Sequence, residues 1–123
     1  MKKLTLKIGN DDFTFVNDSE NTRYGFRHTC VMFINDYHRA TIYHPYYNRT
    51  WEVYTYQTVM LEAIQEVMDE IYESELRDYK EHNGINRLTA AKRKAFEDGF
   101  NNKTYKNLQE AYTKIKNNIP KGF

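Results

Sequence analysis

Between residues 59 and 79 the apolar side chains recur at helical spacing: Val59, Met60, Ala63, Ile64, Val67, Met68, Ile71 and Tyr72, extended by Leu76 and Tyr79. Glu62, Gln65, Glu66, Asp69, Glu70 and Glu73 occupy the other face. This period predicts an amphipathic helix over about 56–83. Thr55 supplies an N-cap, and Asn83-Gly84 supplies the stop, because glycine enters the left-handed region at little steric cost. One apolar stripe does not fold alone. It must bury itself against another apolar surface, and the residues before it are the source.

Those residues follow a period of two. Leu4, Leu6 and Ile8 alternate with Lys3, Thr5 and Lys7, as in a half-buried strand. Gly9-Asn10-Asp11-Asp12 is turn chemistry, and Phe13, Phe15 and Val16 read as a second strand, so residues 2–17 form a hairpin. Asn17-Asp18-Ser19-Glu20-Asn21 reads as a polar loop. Arg23 to Ile34 is rich in aromatic and β-branched residues and reads as a long central strand, with Gly25 a candidate bulge. Asn35-Asp36 turns the chain into a strand from His38 to His44. Pro45 has no N–H for a ladder, which places a loop or edge there, and Trp51 to Tyr54 is a short fifth strand.

After the long helix, Thr89 caps a short helix through Ala91, Ala95 and Phe96 that ends near Gly99. Thr104 caps another through Leu108, Ala111, Tyr112 and Ile115, closed by Pro120. The expected fold is α+β: an antiparallel sheet of four to five strands followed by one long amphipathic helix and two short helices. It forms a single domain over 1–123, with a β region of about 1–54 and a helical region of about 55–119. The length suits one self-sufficient core.

Several function classes find little support. The lone cysteine, Cys30, forms no internal disulfide and fits a reducing compartment. The opening residues lack the apolar run of a signal peptide, and no segment has the ~18 apolar residues of a membrane span, so the expected setting is the cytoplasm. His28, Cys30, His38 and His44 lack zinc spacings. Cys30 sits mid-strand in Thr29-Cys30-Val31-Met32-Phe33, a poor place for a nucleophile. The five glycines are too dispersed for a phosphate cradle. No metal, cofactor or catalytic residue is expected, and the chain reads as a non-enzyme.

Aromatic and basic residues concentrate between positions 23 and 56, where seven of the eleven tyrosines lie. Arg23, Arg27, Arg39, Tyr43, Tyr46, Tyr47, Arg49 and Trp51 form the candidate partner-binding set, since Arg, Tyr and Trp dominate protein hot spots. Such residues also stack on single-stranded bases or simply fill a core, and an exposed aromatic face suits a homodimer equally. Charge is uneven: residues 61–83 hold two Lys/Arg against eight Asp/Glu, and residues 84–123 hold nine against three. The acidic helix and the basic end either neutralise each other by packing, or the basic end meets nucleic acid through Lys92, Arg93, Lys94, Lys103 and Lys106, with Lys114 and Lys116.

Two strings, Asn21-Thr22-Arg23-Tyr24-Gly25-Phe26-Arg27-His28 and Tyr46-Tyr47-Asn48-Arg49-Thr50-Trp51-Glu52-Val53-Tyr54-Thr55-Tyr56-Gln57-Thr58-Val59-Met60, resemble small proteins encoded by bacteriophages and prophages of Gram-positive bacteria. The resemblance covers roughly the first half of the chain and carries no active-site residues. It implies an accessory factor that binds a host machine, of the kind typified by anti-CRISPR proteins. The expected function is inhibition of a bacterial defence nuclease, such as an RNA-guided one, by direct contact. The alternative is a nucleic-acid-binding accessory protein that uses the basic C-terminal helices.

Overall fold

The computed structural model describes residues 1–23, 25–43 and 56–117. Four strands, β1 (Lys2–Ile8), β2 (Asp11–Thr22), β3 (Gly25–Ile34) and β4 (Tyr37–Tyr43), form one antiparallel sheet in chain order. Three helices follow: α1 (Tyr56–His82), α2 (Ala90–Gly99) and α3 (Lys103–Asn117). The fold is the α+β arrangement read from the sequence. The expected strand at Trp51 to Tyr54 and the Thr55 cap lie outside the described residues.

Each described turn has a chemical cause. Gly9 takes a positive φ of 60° between Ile8 and its partner Asp11. A Cβ there would also lie 3.3 Å from the Asn107 side chain, so glycine admits α3 as well as the turn. Asn35 and Asp36 both adopt positive φ, 52° and 68°, the backbone of the two-residue hairpin that right-twisted strands favour. Asp11 ties these turns to the last helix. Its Oδ1 accepts from Asn35 Nδ2 and its Oδ2 from Asn107 Nδ2, each at 2.9 Å.

The inner face of the sheet carries the core. Leu4, Phe15, Met32 and Ala40 form one row across the four strands, with Phe13 and Ile34 in the next. Val59, Met60, Ala63, Ile64, Val67 and Met68 of α1 close over them. Leu108, Ala111 and Ile115 of α3 complete the cluster beside β1. Burying side chains such as Phe13 and Phe15 contributes about 2–3 kcal/mol each. The seam between α1 and α3 is likewise apolar, and Gln57 Nε2 caps the end of α3 by donating to the carbonyls of Ile115 and Lys116 at 3.1 and 3.0 Å.

The 27-residue α1 begins with Tyr56 against Ser19 of β2, and its contacts with the main core end near Ile71, so its last turns run on past the sheet. The overhang carries a second apolar cluster. Phe96 of α2 is buried against Tyr72 and Tyr79, with ring centroids 5.4 Å away in both cases, and Phe100 and Tyr105 meet edge-on at 4.9 Å. Tyr72 donates to Glu97 at 2.7 Å and accepts from Arg93 at 3.1 Å. The Glu97 carboxylate at its hydroxyl holds the Tyr72 pKa above the usual phenol value. The α1 stop is as read: Gly84 sits at φ 60°, and Ile85 N–H reaches back to the Lys80 carbonyl at 2.9 Å.

Three expectations need correction. The polar stretch at 17–21 is not a loop but the continuation of β2, paired with β3 as far as Thr22↔Gly25. Correspondingly, β3 begins at Gly25 rather than at Arg23, and the expected bulge lies at Arg39 in β4. The cap of α3 is Asn102, whose Oδ1 accepts from Tyr105 N–H at 2.9 Å, so Thr104 lies inside the helix. The Thr89 cap holds, accepting from Lys92 N–H at 3.3 Å.

Candidate binding site on the outer face of the sheet

With α1 and α3 packed on the inner face, the alternate residues of each strand point the other way. Strand register fixes their arrangement. One row holds Thr5, Thr14, Phe33 and His38, and the next holds Lys3, Val16, Val31 and Thr41. Beyond them, Asp18 opposes Thr29 and Thr29 opposes Tyr43, and finally Glu20 opposes Arg27. Val16, Val31 and Phe33 are half-buried, so the centre of this face is apolar and its margins are polar.

β2 and β3 run past their neighbours. Among the described residues, β1 pairs with β2 as far as Asn17 and β4 pairs with β3 from Thr29 on, so residues 18–22 and 25–28 extend beyond those pairings as a two-stranded arm. The arm is braced on its inner side. Ser19 Oγ hydrogen-bonds Tyr56 Oη at 2.9 Å, and the His28 ring meets the Tyr56 ring edge-on at 5.5 Å. At its root, the outer side carries a polar cluster. Arg27 forms an ion pair with Glu20, donates to Tyr43 Oη at 3.0 Å, and lies 5.7 Å from the centroid of the Tyr43 ring. Asp18, Ser19, Glu20, Arg27, Thr29 and Tyr43 line a shallow concavity of about 350 Å³ there.

The residues expected to form a surface thus divide. Arg27 and Tyr43 come together. Tyr43 remains 52% exposed, which leaves much of its ring for a partner. Arg23 is exposed at the tip of the arm, in the turn between β2 and β3. Arg39 is the extra residue of a bulge: His38 pairs with Phe33 and Ala40 with Met32, so nothing opposes it. Tyr46, Tyr47, Arg49 and Trp51 lie outside the described residues. Glu20 was missed by sequence reasoning, and the 75%-exposed Tyr37 stands in the Ile34 row of the opposite face. The alternation Thr14, Val16, Asp18, Glu20 against Phe13, Phe15, Asn17, Ser19 was the signal for Glu20, obscured because both faces turn polar after Val16.

The other candidate centres are as follows. Burial pushes the Cys30 thiol up to about 12, so at neutral pH it is no thiolate, and the Cys30–His28 pair on the inner face has no ready nucleophile. Among the described residues no three of His, Cys, Asp and Glu are grouped to hold a metal ion. Lys92, Arg93, Lys94, Lys103 and Lys106 are all exposed, with Arg93 bonded to Tyr72 and Lys106 to Asn101 Oδ1 at 2.6 Å. Lys114 pairs with Glu110 of its own helix at 3.8 Å. The acidic side of α1, Glu62 to Glu73, faces outward. No described helix is long and apolar enough to cross a membrane. Compared with family models, curated proteins and solved structures, the chain matches none.

Proposed function

We propose that this chain is a non-enzymatic binding protein that docks on a bacterial host protein through the outer face of its sheet, and that the host protein is a defence nuclease of the RNA-guided kind. The nuclease enters from the resemblance to phage-encoded accessory proteins. The observation that carries the docking surface is the joining of Arg27, Tyr43 and Glu20 on the sheet face opposite the helices. Arg and Tyr supply most of the energy at protein interfaces, because they combine large contact area with directional bonds. Here the Glu20 pair and the Tyr43 bond fix the Arg27 guanidinium in advance, so little side-chain entropy remains to be lost on docking.

The test begins with purification of the tagged chain from host lysate, with and without added nuclease, and identification of the partner by mass spectrometry. Binding of that partner is then measured for the Arg27→Ala and Tyr43→Ala variants. Each substitution is expected to weaken binding by about 1–2 kcal/mol, a loss of roughly 5- to 30-fold, while the circular dichroism spectrum is unchanged. Folded variants that bind as tightly as the parent would remove this face from the proposal.

A second reading rests on the exposure of the five cations on α2 and the first turn of α3. Under it, Lys92, Arg93, Lys94, Lys103 and Lys106 contact nucleic acid phosphates, and affinity falls steeply with salt. Co-purifying nucleic acid that disappears on nuclease treatment, with no protein left behind, favours this reading over the first.

A further inference from the structure

The outer face is complementary to itself. Consider a two-fold axis lying along the strands, above the boundary between β2 and β3. It places β2 of one copy over β3 of the other without changing the row. The residues that then meet between copies are the same ones that pair across β2 and β3 within a copy: Glu20 with Arg27, Val16 with Val31, and Thr14 with Phe33. Opposite charges meet at the end and apolar groups meet at the centre. The other in-plane axis, across the strands through the Val16 row, would set Asp12 against Glu20, two like charges. The register therefore selects one orientation.

The area agrees with a modest dimer. Four strands seven residues long cover about 19 by 23 Å, and the two rough surfaces together bury on the order of 1,000 Å², the low end for a specific interface. The sheet edges do not compete for self-association. Lys2, Lys3 and Lys7 guard β1, and the bulge at Arg39 disrupts β4.

We propose that the chain forms a reversible two-fold homodimer by packing outer face on outer face, with Glu20 of each copy meeting Arg27 of the other. Because this buries Arg27, self-association competes with docking to the host protein, so the free concentration of the chain sets how much of the docking face is available. The competition rests on the proposed function, whereas the dimer does not.

Sedimentation equilibrium from about 1 to 500 μM tests this, with mass action setting the expected range for a weak interface. The wild type is expected to shift from once to twice the chain mass across the range. Glu20→Arg and Arg27→Glu each place like charges across the interface and are expected to raise the dimer dissociation constant at least ~10-fold. Mixed one to one, those two variants form two opposite-charge contacts and are expected to recover the dimer. Val31→Lys, on the outer face of the central strand, breaks it by a route that leaves the Glu20–Arg27 pair intact. A wild type that stays monomeric throughout overturns the proposal. So does a dimer indifferent to all three substitutions, or a mixture that remains monomeric. A monomer that still captures a host protein defeats the dimer and leaves the docking surface standing, and a dimer that captures none does the reverse.

Discussion

Asn17 is the one fully buried polar side chain among the described residues, and replacing it with valine should stabilise the protein. It sits on the inner face of β2 opposite Cys30, between Lys2 of β1 and the body of the core. Its Nδ2 donates to the Lys2 carbonyl at 3.3 Å, the long end of hydrogen bonding, and its Oδ1 has no partner among the described residues. The unmet oxygen costs about 1–3 kcal/mol, whereas a bond of that length contributes about 0.5–1 kcal/mol. The Lys2 carbonyl belongs to an exposed edge residue, so water replaces the lost donor. Valine is β-branched and one heavy atom smaller, which suits the strand and leaves a void worth about 0.5–1 kcal/mol. The balance centres on a gain of about 0.5 kcal/mol, or a melting temperature about 2 °C higher for a domain this size. Thermal melts and urea titrations with an unchanged m-value measure it. Asn17→Asp provides the opposite sign. A carboxylate in that apolar setting has its pKa raised above its unfolded value, so the variant approaches parental stability below about pH 4 and loses several kcal/mol as pH rises. If Asn17→Val instead melts lower than the parent, the oxygen is satisfied and the reasoning fails.

Two further predictions concern backbone and thiol. Cys30, its pKa raised by burial from the ordinary 9.0 to about 12, should resist iodoacetamide in the native state at pH 8 and react once denaturant opens the core. Because the folded pKa is the higher one, its contribution to stability is intact below about pH 9 and is lost as pH climbs towards 12. The alkaline fall of the wild type should therefore exceed that of Cys30→Val, and equal slopes would refute the shift. Gly84→Ala meets no atom within 4 Å, so its cost is the positive φ alone, about 1 kcal/mol by urea titration. A neutral result would mean that the α1 terminus relaxes out of the left-handed region.

Where a segment had one apolar and one polar face, its conformation was legible in the sequence. The α1 stripe located the helix within a residue of its end, and Asn35-Asp36 and Thr89 each marked a junction by chemistry that little else satisfies there. The second half of β2 was not legible, because its inner residues, Asn17 and Ser19, are as polar as its outer ones, Asp18 and Glu20. Its conformation is set by the pairing partner, β3, rather than by local pattern. The α3 cap was misplaced by two residues because Asn102 and Thr104 both qualify, and only the geometry around Tyr105 N–H decides between them. The candidate site followed the same logic. Tyr43, chosen from the sequence for its residue type, is found exposed on the outer face, with Ala40 in the core. Glu20, the ion-pair partner of Arg27, was hidden with the strand that carries it.

The overhang of α1 and the chain-order meander together set a schedule for synthesis. All four strands have been translated once residue 43 is made, but the side chains that cover their inner face run from Val59 to Met68. At usual elongation speeds that gap amounts to about 1–5 s. Through it Phe13, Phe15 and Met32 have no lid from α1, whether or not the strands have already paired. The β1 lysines and the β4 bulge, which in the finished protein merely end the sheet, are then its safeguards against adding a neighbouring nascent chain.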